Sequence, residues 1–472
     1  MISTTREDLK GAYGLNELHI FVIEDRLEYR GRPQLWNVGR TEVTDGTPRS
    51  SPVQVYSTGN WTSGELGVWS TSQALFLLDN RGKLSTYGWN SNSWLGLSGI
   101  VGNELNGTWA KVKPGGYRFC FGLLSDDTTY PFRPNGQLKG WGWNHYGQLG
   151  LGDTAERSSP TQVPGTWKDF FPYSNANDYI TGETSQAVSP NMFALTTDDQ
   201  LWAWGANDVM YGMLGIGGGV PRSSPVQVPS PSGRWRNFQR MSVWAGGIAD
   251  NGYLYMWGYN ANGQLGMGDT APRSSANSAV TSFGEQRWRN IINCYAMQNT
   301  FCVKQDGSLW AWGNNGNGQL GQGDVAPRSS PVPIPGSWEA VYPRNYSVLA
   351  VQAGTGTIWS WGNNGYNQLG HNFGNRSRPV PLPGKWDTRY GIYFNGDVAY
   401  AVKKTRNEGD FQGLYAWGRN DYGQASMNNN STVDWPRRTS FFPQAFWAMR
   451  LDQAPFADQS SYNYTAYIPL RK

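Results

Sequence analysis

Apolar and polar residues alternate along this chain in short runs, and most runs close with a glycine-rich turn. A representative run ends in Trp310-Ala311-Trp312-Gly313 and continues into Asn-Asn-Gly-Asn-Gly-Gln-Leu-Gly. Aromatic residues at every second position favour the pleated, half-buried surface of a β-strand. The Asn and Gly residues that follow tolerate the positive φ angles that tight turns require. The pattern therefore predicts a strand that ends in a compact loop.

The same pattern recurs through almost the whole sequence. Successive turn glycines lie between 49 residues (Gly39 to Gly88) and 63 residues (Gly142 to Gly205) apart. The glycine falls at Gly39, Gly88, Gly142, Gly205, Gly258, Gly313, Gly362 and Gly418. A period near fifty residues with short strands is typical of a propeller or solenoid array.

Each unit reads as a Trp-led strand, a second apolar strand, a Leu-x-x-Trp-Gly strand and a Pro-Val strand. We therefore predict an all-β fold, a β-propeller of four-stranded blades occupying residues 34–472. Seven units start near Trp61, Trp109, Trp167, Trp235, Trp288, Trp338 and Trp386. An eighth blade is predicted to combine residues 447–470 with residues 34–55, so that strands from both chain ends close the ring and leave no open edge. If the turn at Gly39 is not part of a blade, the ring has seven.

Residues 1–33 match no repeat. They contain many charged residues and one strand-like segment, Leu18 to Ile23, which could supply the second strand of the split blade in place of Tyr464 to Leu470. Two interpretations stay open: an extra strand packed on the propeller, or an arm that docks on a partner, as untethered termini can.

Composition narrows the functional classes. Charged residues form 16% of the chain, below the roughly 25% of ordinary soluble domains, and a net charge of +4 is too small to indicate nucleic-acid binding. Cys120, Cys294 and Cys302 have no metal-ligand spacing and are predicted to be buried free thiols. We expect no signal peptide and no membrane span, because the polar N-terminus and the short apolar runs provide neither.

The repeat motif resembles that of a known family. Trp141-Gly142-Trp143-Asn144, continued by His-Tyr-Gly-Gln-Leu-Gly-Leu-Gly-Asp, and the later Pro-x-x-Val are similar to the repeat of the regulator of chromosome condensation family, whose members fold as β-propellers, typically of seven blades. The resemblance covers about residues 34–470. It implies a fold rather than one activity, since the family includes a nucleotide-exchange factor for a small GTPase, a light sensor, a β-lactamase inhibitor and bacteriophage structural proteins.

No catalytic, cofactor or metal site is predicted. The three histidines fall at unrelated positions, and none is paired with a nucleophile in a recognisable motif. An Asp followed four residues later by an Arg recurs at Asp45, Asp153, Asp269 and Asp324. We interpret these as ion pairs that pin the loops, because one carboxylate per loop is too few for calcium.

Recognition is assigned to aromatic and basic residues that the repeat does not require, because aromatic anchors dominate contact surfaces. The candidates for partner binding are Tyr130, Phe132, Arg133, Tyr173, Tyr179 and Tyr211. In a four-stranded meander the Asn-Gly loops share one face with the loop that holds the insertion of residues 172–190. The segment 125–137 lies on the opposite face.

These patterns predict a non-enzymatic interaction scaffold. The near-identical Gly-Asp-Thr-Ala-Pro-Arg-Ser-Ser phrases are similar to those of bacteriophage examples, so we predict a virion structural protein, assembled in the host cytoplasm, that docks on other virion subunits or on a host surface. Two alternatives stay open: an inhibitor or exchange factor that binds one globular partner, and a carbohydrate-binding propeller that binds a host glycan.

Overall fold

The fold is built from short antiparallel strands, each followed by a turn. The structure is a computed structural model that describes residues 7–439 apart from internal gaps. The longer gaps are 26–32, 40–48, 57–67, 89–102, 173–189, 277–286, 293–297, 388–391 and 405–410.

The described strands form eight sheets, which we number in chain order. Sheets 1 and 2 contain β1 (Glu7–Leu15), β2 (Leu18–Asp25), β3 (Pro33–Gly39) and β4 (Arg49–Tyr56), then β5 (Val68–Ser70), β6 (Ala74–Leu78), β7 (Leu84–Gly88) and β8 (Asn103–Leu105). Sheets 3 and 4 contain β9 (Trp109–Gly115), β10 (Phe119–Leu124), β11 (Leu138–Gly142) and β12 (Arg157–Gln162), then β13 (Trp167–Pro172), β14 (Asn191–Thr196), β15 (Leu201–Gly205) and β16 (Arg222–Gln227).

The second half of the chain repeats this arrangement. Sheets 5 and 6 contain β17 (Trp235–Arg240), β18 (Trp244–Ala249) and β19 (Leu254–Gly258), then β20 (Trp288–Ile292), β21 (Asn299–Lys304), β22 (Leu309–Gly313) and β23 (Arg328–Pro333). Sheets 7 and 8 contain β24 (Trp338–Arg344), β25 (Ser347–Gln352), β26 (Ile358–Gly362) and β27 (Arg376–Pro381), then β28 (Ile392–Phe394), β29 (Val398–Lys404), β30 (Phe411–Gly418) and β31 (Val433–Arg438).

Every sheet is a meander in which neighbouring strands are antiparallel and follow chain order. The predicted all-β propeller is confirmed, and the eight described sheets correspond to the eight predicted blades, seven of them with four described strands and sheet 5 with three. Five sheets open at Trp109, Trp167, Trp235, Trp288 and Trp338. Trp386 precedes its sheet and forms a single bridge with Lys403, whereas Trp61 lies outside the described residues.

Sheet 1 corrects one prediction. Its first two strands are β1 and β2 from the N-terminal segment, where we had expected residues 447–470. The two strands pair from Leu15 opposite Leu18 and form a hairpin. Such a short loop costs far less closure entropy than one that joins both ends of the chain. Residues 447–470 themselves lie outside the described residues.

A β-bulge follows the leading tryptophan of five sheets. In sheet 4, Trp167 pairs with Thr196 and Asp169 pairs with Leu195, so residue 168 is extra. The bulge breaks the alternation, and Trp167 and Phe170 therefore pack in the same apolar cluster, although they are an odd number of residues apart. Sheets 3, 5, 6 and 7 carry the same bulge.

The core lies between the sheets. Among the described residues, six apolar clusters occupy the successive boundaries from sheets 2 and 3 to sheets 7 and 8. The tryptophans that precede the turn glycines are buried in these clusters and pack one sheet against the next. Trp204 Nε1 donates to the carbonyl oxygen of Gln148 in the preceding sheet at 2.9 Å. Gly150 has a φ of 71°, and a Cβ there would lie 2.7 Å from that same Nε1, so glycine is required at this contact.

Candidate functional site

The loops that connect the third and fourth strands of each sheet share one face, because the chain reverses at every strand. We call this surface the Asn-Gly loop face. Its described loops fall within residues 143–156, 206–221, 259–272, 314–327, 363–375 and 419–432.

A buried asparagine holds each of these loops in shape. Asn144 Nδ2 donates to the carbonyl oxygens of Asp153 at 3.1 Å and Ala155 at 3.0 Å, and its Oδ1 accepts from the backbone N–H of Leu149 at 2.8 Å. The same set of bonds is made by Asn207, Asn260, Asn315, Asn364 and Asn420. Because both ends of the loop bond to one buried side chain, the loop has little freedom to change shape.

A glutamine four residues further on ties the loop to the next sheet. Gln148 Oε1 accepts from the backbone N–H of Tyr146 at 2.9 Å, while its carbonyl oxygen accepts from Trp204 in sheet 4. Equivalent pairs join Gln264 to Trp312, Gln319 to Trp361 and Gln368 to Trp417. The Asn-Gly loops are therefore fixed to one another around the face.

The predicted loop-pinning ion pairs are confirmed at three loops. Arg157 lies 2.6 Å from Asp153, and the hydrogen bond from Arg157 holds the pKa of Asp153 below its usual value. The other two pairs are Arg273 with Asp269 at 2.7 Å and Arg328 with Asp324 at 2.6 Å. Asp45 lies outside the described residues.

Aromatic side chains project from these fixed loops. Tyr146 is 46% exposed and packs edge-on against Trp143, with ring centres 5.6 Å apart. Tyr366 is 42% exposed, and the Arg419 guanidinium of the next sheet lies 4.8 Å from its ring centre. Exposed aromatic and arginine side chains are typical of protein-binding surfaces.

The predicted recognition residues do not form one group. Tyr211 lies on the Asn-Gly loop face and packs edge-on against Tyr259 of the next sheet, with ring centres 5.0 Å apart. Phe132 and Arg133 lie between β10 and β11, at the opposite end of the strands. Tyr130, Tyr173 and Tyr179 lie outside the described residues, as does most of the insertion at 172–190.

Tyr146, Tyr366 and Phe373 were not among the residues predicted to bind a partner. They are the exposed ones among the Tyr, Trp and Phe side chains that the structure describes. A signal was available for Tyr146 and Tyr366, because they stand two residues after the motif asparagine. Two other copies have Asn262 and Asn317 there, so packing does not demand an aromatic ring.

One buried charged cluster lies between sheets 3 and 4. Lys111 Nζ is 2.7 Å and Lys113 Nζ 3.6 Å from Asp169 Oδ1. Lys113 also donates to the carbonyl oxygen of Phe170 at 2.8 Å. Burial lowers the pKa of Lys113 to about 7, although the charge of Asp169 raises it. The pKa of Asp169 lies below its usual value, because burial, which raises it, is outweighed by the two lysine charges.

The remaining chemistry is sparse. Cys120 and Cys302 are buried free thiols, as predicted, whereas Cys294 lies outside the described residues. In the part of the chain that the structure describes, no three His, Cys, Asp or Glu side chains are grouped as metal ligands would be. That part also contains no helix with the length and apolarity needed to cross a bilayer.

Comparison with known proteins identifies the repeats. The family described as the regulator of chromosome condensation (RCC1) repeat matches residues 135–169, 251–286 and 306–354. These three segments of the chain are similar to RCC1 repeats. The matched segments hold the loops with Asp153, Asp269 and Asp324, where motif and ion pair are both complete.

Curated relatives cover part of the chain. The ultraviolet-B receptor UVR8 of Arabidopsis thaliana is 30% identical over 212 residues, which are 42% of this chain and 42% of the receptor. The E3 ubiquitin-protein ligase HERC2 of Homo sapiens is 26% identical over 257 residues, 51% of this chain and 5% of the ligase. The chain thus spans less than half the length of these relatives.

Solved structures with similar folds include yeast RCC1 (Prp20) bound to Kap60, with a TM-score of 0.49 and 16% identity over 82% of this chain and 89% of that one. Human WBSCR16 has a TM-score of 0.48 and 18% identity over 72% of this chain and 85% of its own. The fold of this chain is defined by its own strand order and by the packing between its sheets.

Proposed function

We propose that this RCC1-repeat propeller is a non-enzymatic scaffold that binds protein partners through its Asn-Gly loop face. The observation that carries the proposal is the combination of loops fixed by buried asparagine bonds with exposed aromatic side chains such as Tyr146 and Tyr366. A surface already held in its binding shape loses little conformational entropy on docking.

We further propose that the partners are neighbouring subunits of a bacteriophage particle, so that the protein is located in the virion. Support comes from the three near-identical copies of the Gly-Asp-Thr-Ala-Pro-Arg-Ser-Ser phrase, the Asn- and Ser-rich turns and the low charge content of 16%. A nearly neutral, hydrogen-bonding surface suits permanent contacts between subunits, which contain few charged residues at their centre. An inhibitor or exchange factor would instead form a soluble complex with one globular partner.

One observation favours a second candidate, glycan binding. Trp143, His145 and Tyr146 form an aromatic group on one loop, and Nε2 of His145 lies 3.4 Å from a carboxylate oxygen of Glu156. Flat rings next to a hydrogen-bonding carboxylate could stack on and orient a sugar of a host surface.

The test is to isolate the particle or complex that contains the full chain and to locate its contacts by cryo-electron microscopy and cross-linking. We expect a fixed stoichiometry with other proteins, and cross-links on the Asn-Gly loop face. Tyr146→Ser and Tyr366→Ser should weaken the association, whereas Arg133→Ser on the opposite face should not.

Three results would count against the proposal in different ways. A monomer without protein partners refutes the scaffold, and a free complex with one soluble protein refutes the virion assignment alone. Binding to a glycan array that is lost in Tyr146→Ser, without any protein partner, supports the glycan candidate instead.

A further inference from the structure

Three of the six described loops of the Asn-Gly loop face lack the carboxylate that pins the others. In sheet 8, Asn429 stands at the Asp position and Val433 at the Arg position, whereas the loops of sheets 4 and 7 lack only the carboxylate. In the complete loops the buried asparagine donates to the carbonyl oxygens of an Asp and of an Ala two residues later, as Asn144 does to Asp153 and Ala155. In sheet 4, Asn207 donates to Gly218 at 3.1 Å and to Val220 at 3.3 Å. The hydrogen bonds therefore place Gly218 at the Asp position and Val220 at the Ala position.

Sheet 7 has the same substitution with different residues. Asn364 donates to the carbonyl oxygens of His371, at 2.8 Å, and of Phe373. His371 therefore replaces the Asp. An imidazole is either neutral or positively charged, so His371 supplies no counter-charge to Arg376. Burial and the charge of Arg376 lower the pKa of His371.

Both loops keep the arginine. Arg222 pairs in register with Gly205, and Arg376 with Gly362, as Arg157 does with Gly142. Throughout the part of the chain that the structure describes, no carboxylate lies within ion-pair distance of Arg222 or Arg376.

An exposed apolar side chain occupies the Ala position of each of these two loops. Val220 is 60% exposed and Phe373 is 51% exposed, at a position where the complete loops have alanine. The guanidinium carbon of Arg376 lies 4.9 Å from the ring centre of Phe373, which also contacts Trp435 of the next sheet at 6.3 Å. The stacked ring holds the Arg376 charge at the surface of the loop.

We propose that Arg376 and Arg222 are docking points for acidic side chains of a protein partner, whose carboxylates take the place of the missing loop Asp while apolar neighbours cover Phe373 and Val220. The inference rests on the proposed scaffold function and names the chemistry of its partner. An acidic protein segment fits better than a nucleic acid, because each loop offers one cation beside an apolar side chain rather than a row of cations.

The test uses the full chain and labelled short peptides that carry one Asp between leucine and tyrosine residues, together with twins in which Asn replaces the Asp. Fluorescence polarisation should show that the Asp peptides bind about tenfold more tightly than their Asn twins, a difference of about 1.4 kcal/mol. Arg376→Gln and Arg222→Gln should each weaken binding of the Asp peptides, and the double variant should abolish the preference for Asp.

Two further variants sharpen the test. His371→Asp restores an in-chain carboxylate next to Arg376 and should weaken peptide binding there by competition, without removing the arginine. Arg328→Gln removes an arginine that already has its Asp324 partner, and it should leave peptide affinity unchanged. Thermal unfolding checks that all variants remain folded.

The proposal is overturned if the Asp peptides and their Asn twins bind equally, or not at all at millimolar concentration. It is also overturned if Arg328→Gln weakens binding as much as Arg376→Gln, or if the arginines retain short single-stranded DNA instead of the peptides. If the isolated protein complex forms normally with the Arg376→Gln, Arg222→Gln double variant, this docking mode is refuted while the scaffold function stands. Absence of any protein complex refutes the scaffold itself.

Discussion

Two boundaries between sheets contain a polar contact at the same position, but the residues differ. The contact is an ion pair between sheets 3 and 4 and a neutral hydrogen bond between sheets 5 and 6. In each, the residues two positions after the leading tryptophans meet across the gap. Lys111 contacts Asp169 at 2.7 Å at the first boundary, and Asn237 Nδ2 donates to Asn290 Oδ1 at 2.8 Å at the second. The position thus accepts a polar contact between sheets without requiring charge.

The charged contact between sheets 3 and 4 carries a desolvation penalty that the neutral contact between sheets 5 and 6 does not. It includes Lys113, which is buried between Phe170 and Phe171 and has its pKa lowered to about 7 by that burial. A buried amide pair needs only its hydrogen bonds, whereas buried charges must also recover their lost hydration. Stability should therefore depend on pH at one boundary and not at the other.

Removing the shared carboxylate should have the largest effect. Asp169→Asn leaves Lys111 and Lys113 adjacent without a counter-ion, and we expect a loss of about 3 kcal/mol in the free energy of unfolding at pH 7. In the wild type the folded pKa of Asp169 is lowered. Its stabilisation is therefore complete above the ordinary pKa near 3.8 and is lost as the pH falls through the folded value.

Urea unfolding measures this loss, and Asp250→Asn is the matched control. Asp250 forms a more exposed pair with Arg236 at 3.0 Å, so its removal should cost less than ~1 kcal/mol. Equal losses in the two variants would show that the buried cluster is no stronger than a surface pair.

Replacing the buried Lys113 should raise the free energy of unfolding, whereas replacing Asp169 lowers it. Between pH 7 and 10.5 the folded chain holds fewer protons than the unfolded chain, because the pKa of Lys113 is about 7 when folded and 10.5 when exposed. Wild-type stability should therefore rise with pH across this window. Lys113→Met should remove that rise and add about 2 kcal/mol at pH 7, as unfolding at a series of pH values can measure.

The control variant is Lys139→Met, in the neighbouring strand β11. Its stability should still increase between pH 7 and 10.5, as that of the wild type does. A pH profile of Lys113→Met that still climbs above pH 7 would assign the titration to another group.

Removing the neutral contact between sheets 5 and 6 should lower the free energy of unfolding by a smaller amount. Asn237→Leu removes the amide bond to Asn290, and we expect a loss of about 1 kcal/mol. The loss should be the same at pH 7 and pH 10, because neither amide titrates. A loss that varied with pH would contradict the assignment of the pH dependence to sheets 3 and 4.

Breaking an ion pair in one of the surface loops should change the stability least. Arg273→Gln breaks the exposed pair with Asp269, and we expect a change below ~1 kcal/mol that shrinks further in high salt. Thermal unfolding at low and high ionic strength checks this, and a large loss that does not depend on salt would point to packing rather than charge.

Many features of the Asn-Gly loop face could be predicted from residues that are close together in the sequence. The Asn144-type turn, the Asp153 and Arg157 pair and the buried motif tryptophans repeat at fixed spacing, and each depends on residues within one unit or on packing that every unit shares. The incomplete loops were harder to recognise. Aligning His371 or Gly218 with the Asp position requires the asparagine hydrogen bonds, because these loops differ in length from the complete ones.

The sequence by itself determined the repeat, the strand order within a sheet and the chemistry of each complete loop, because these depend on alternation and turn residues close along the chain. Only the tertiary structure decided which side chains meet across a boundary. Lys111 and Asp169 are 58 residues apart, and the bulge after Trp167 changes the alternation that would have predicted where Asp169 and Phe170 point. It also gave sheet 1 the strands β1 and β2, since pairing between strands depends on which edges meet in space rather than on a repeat motif.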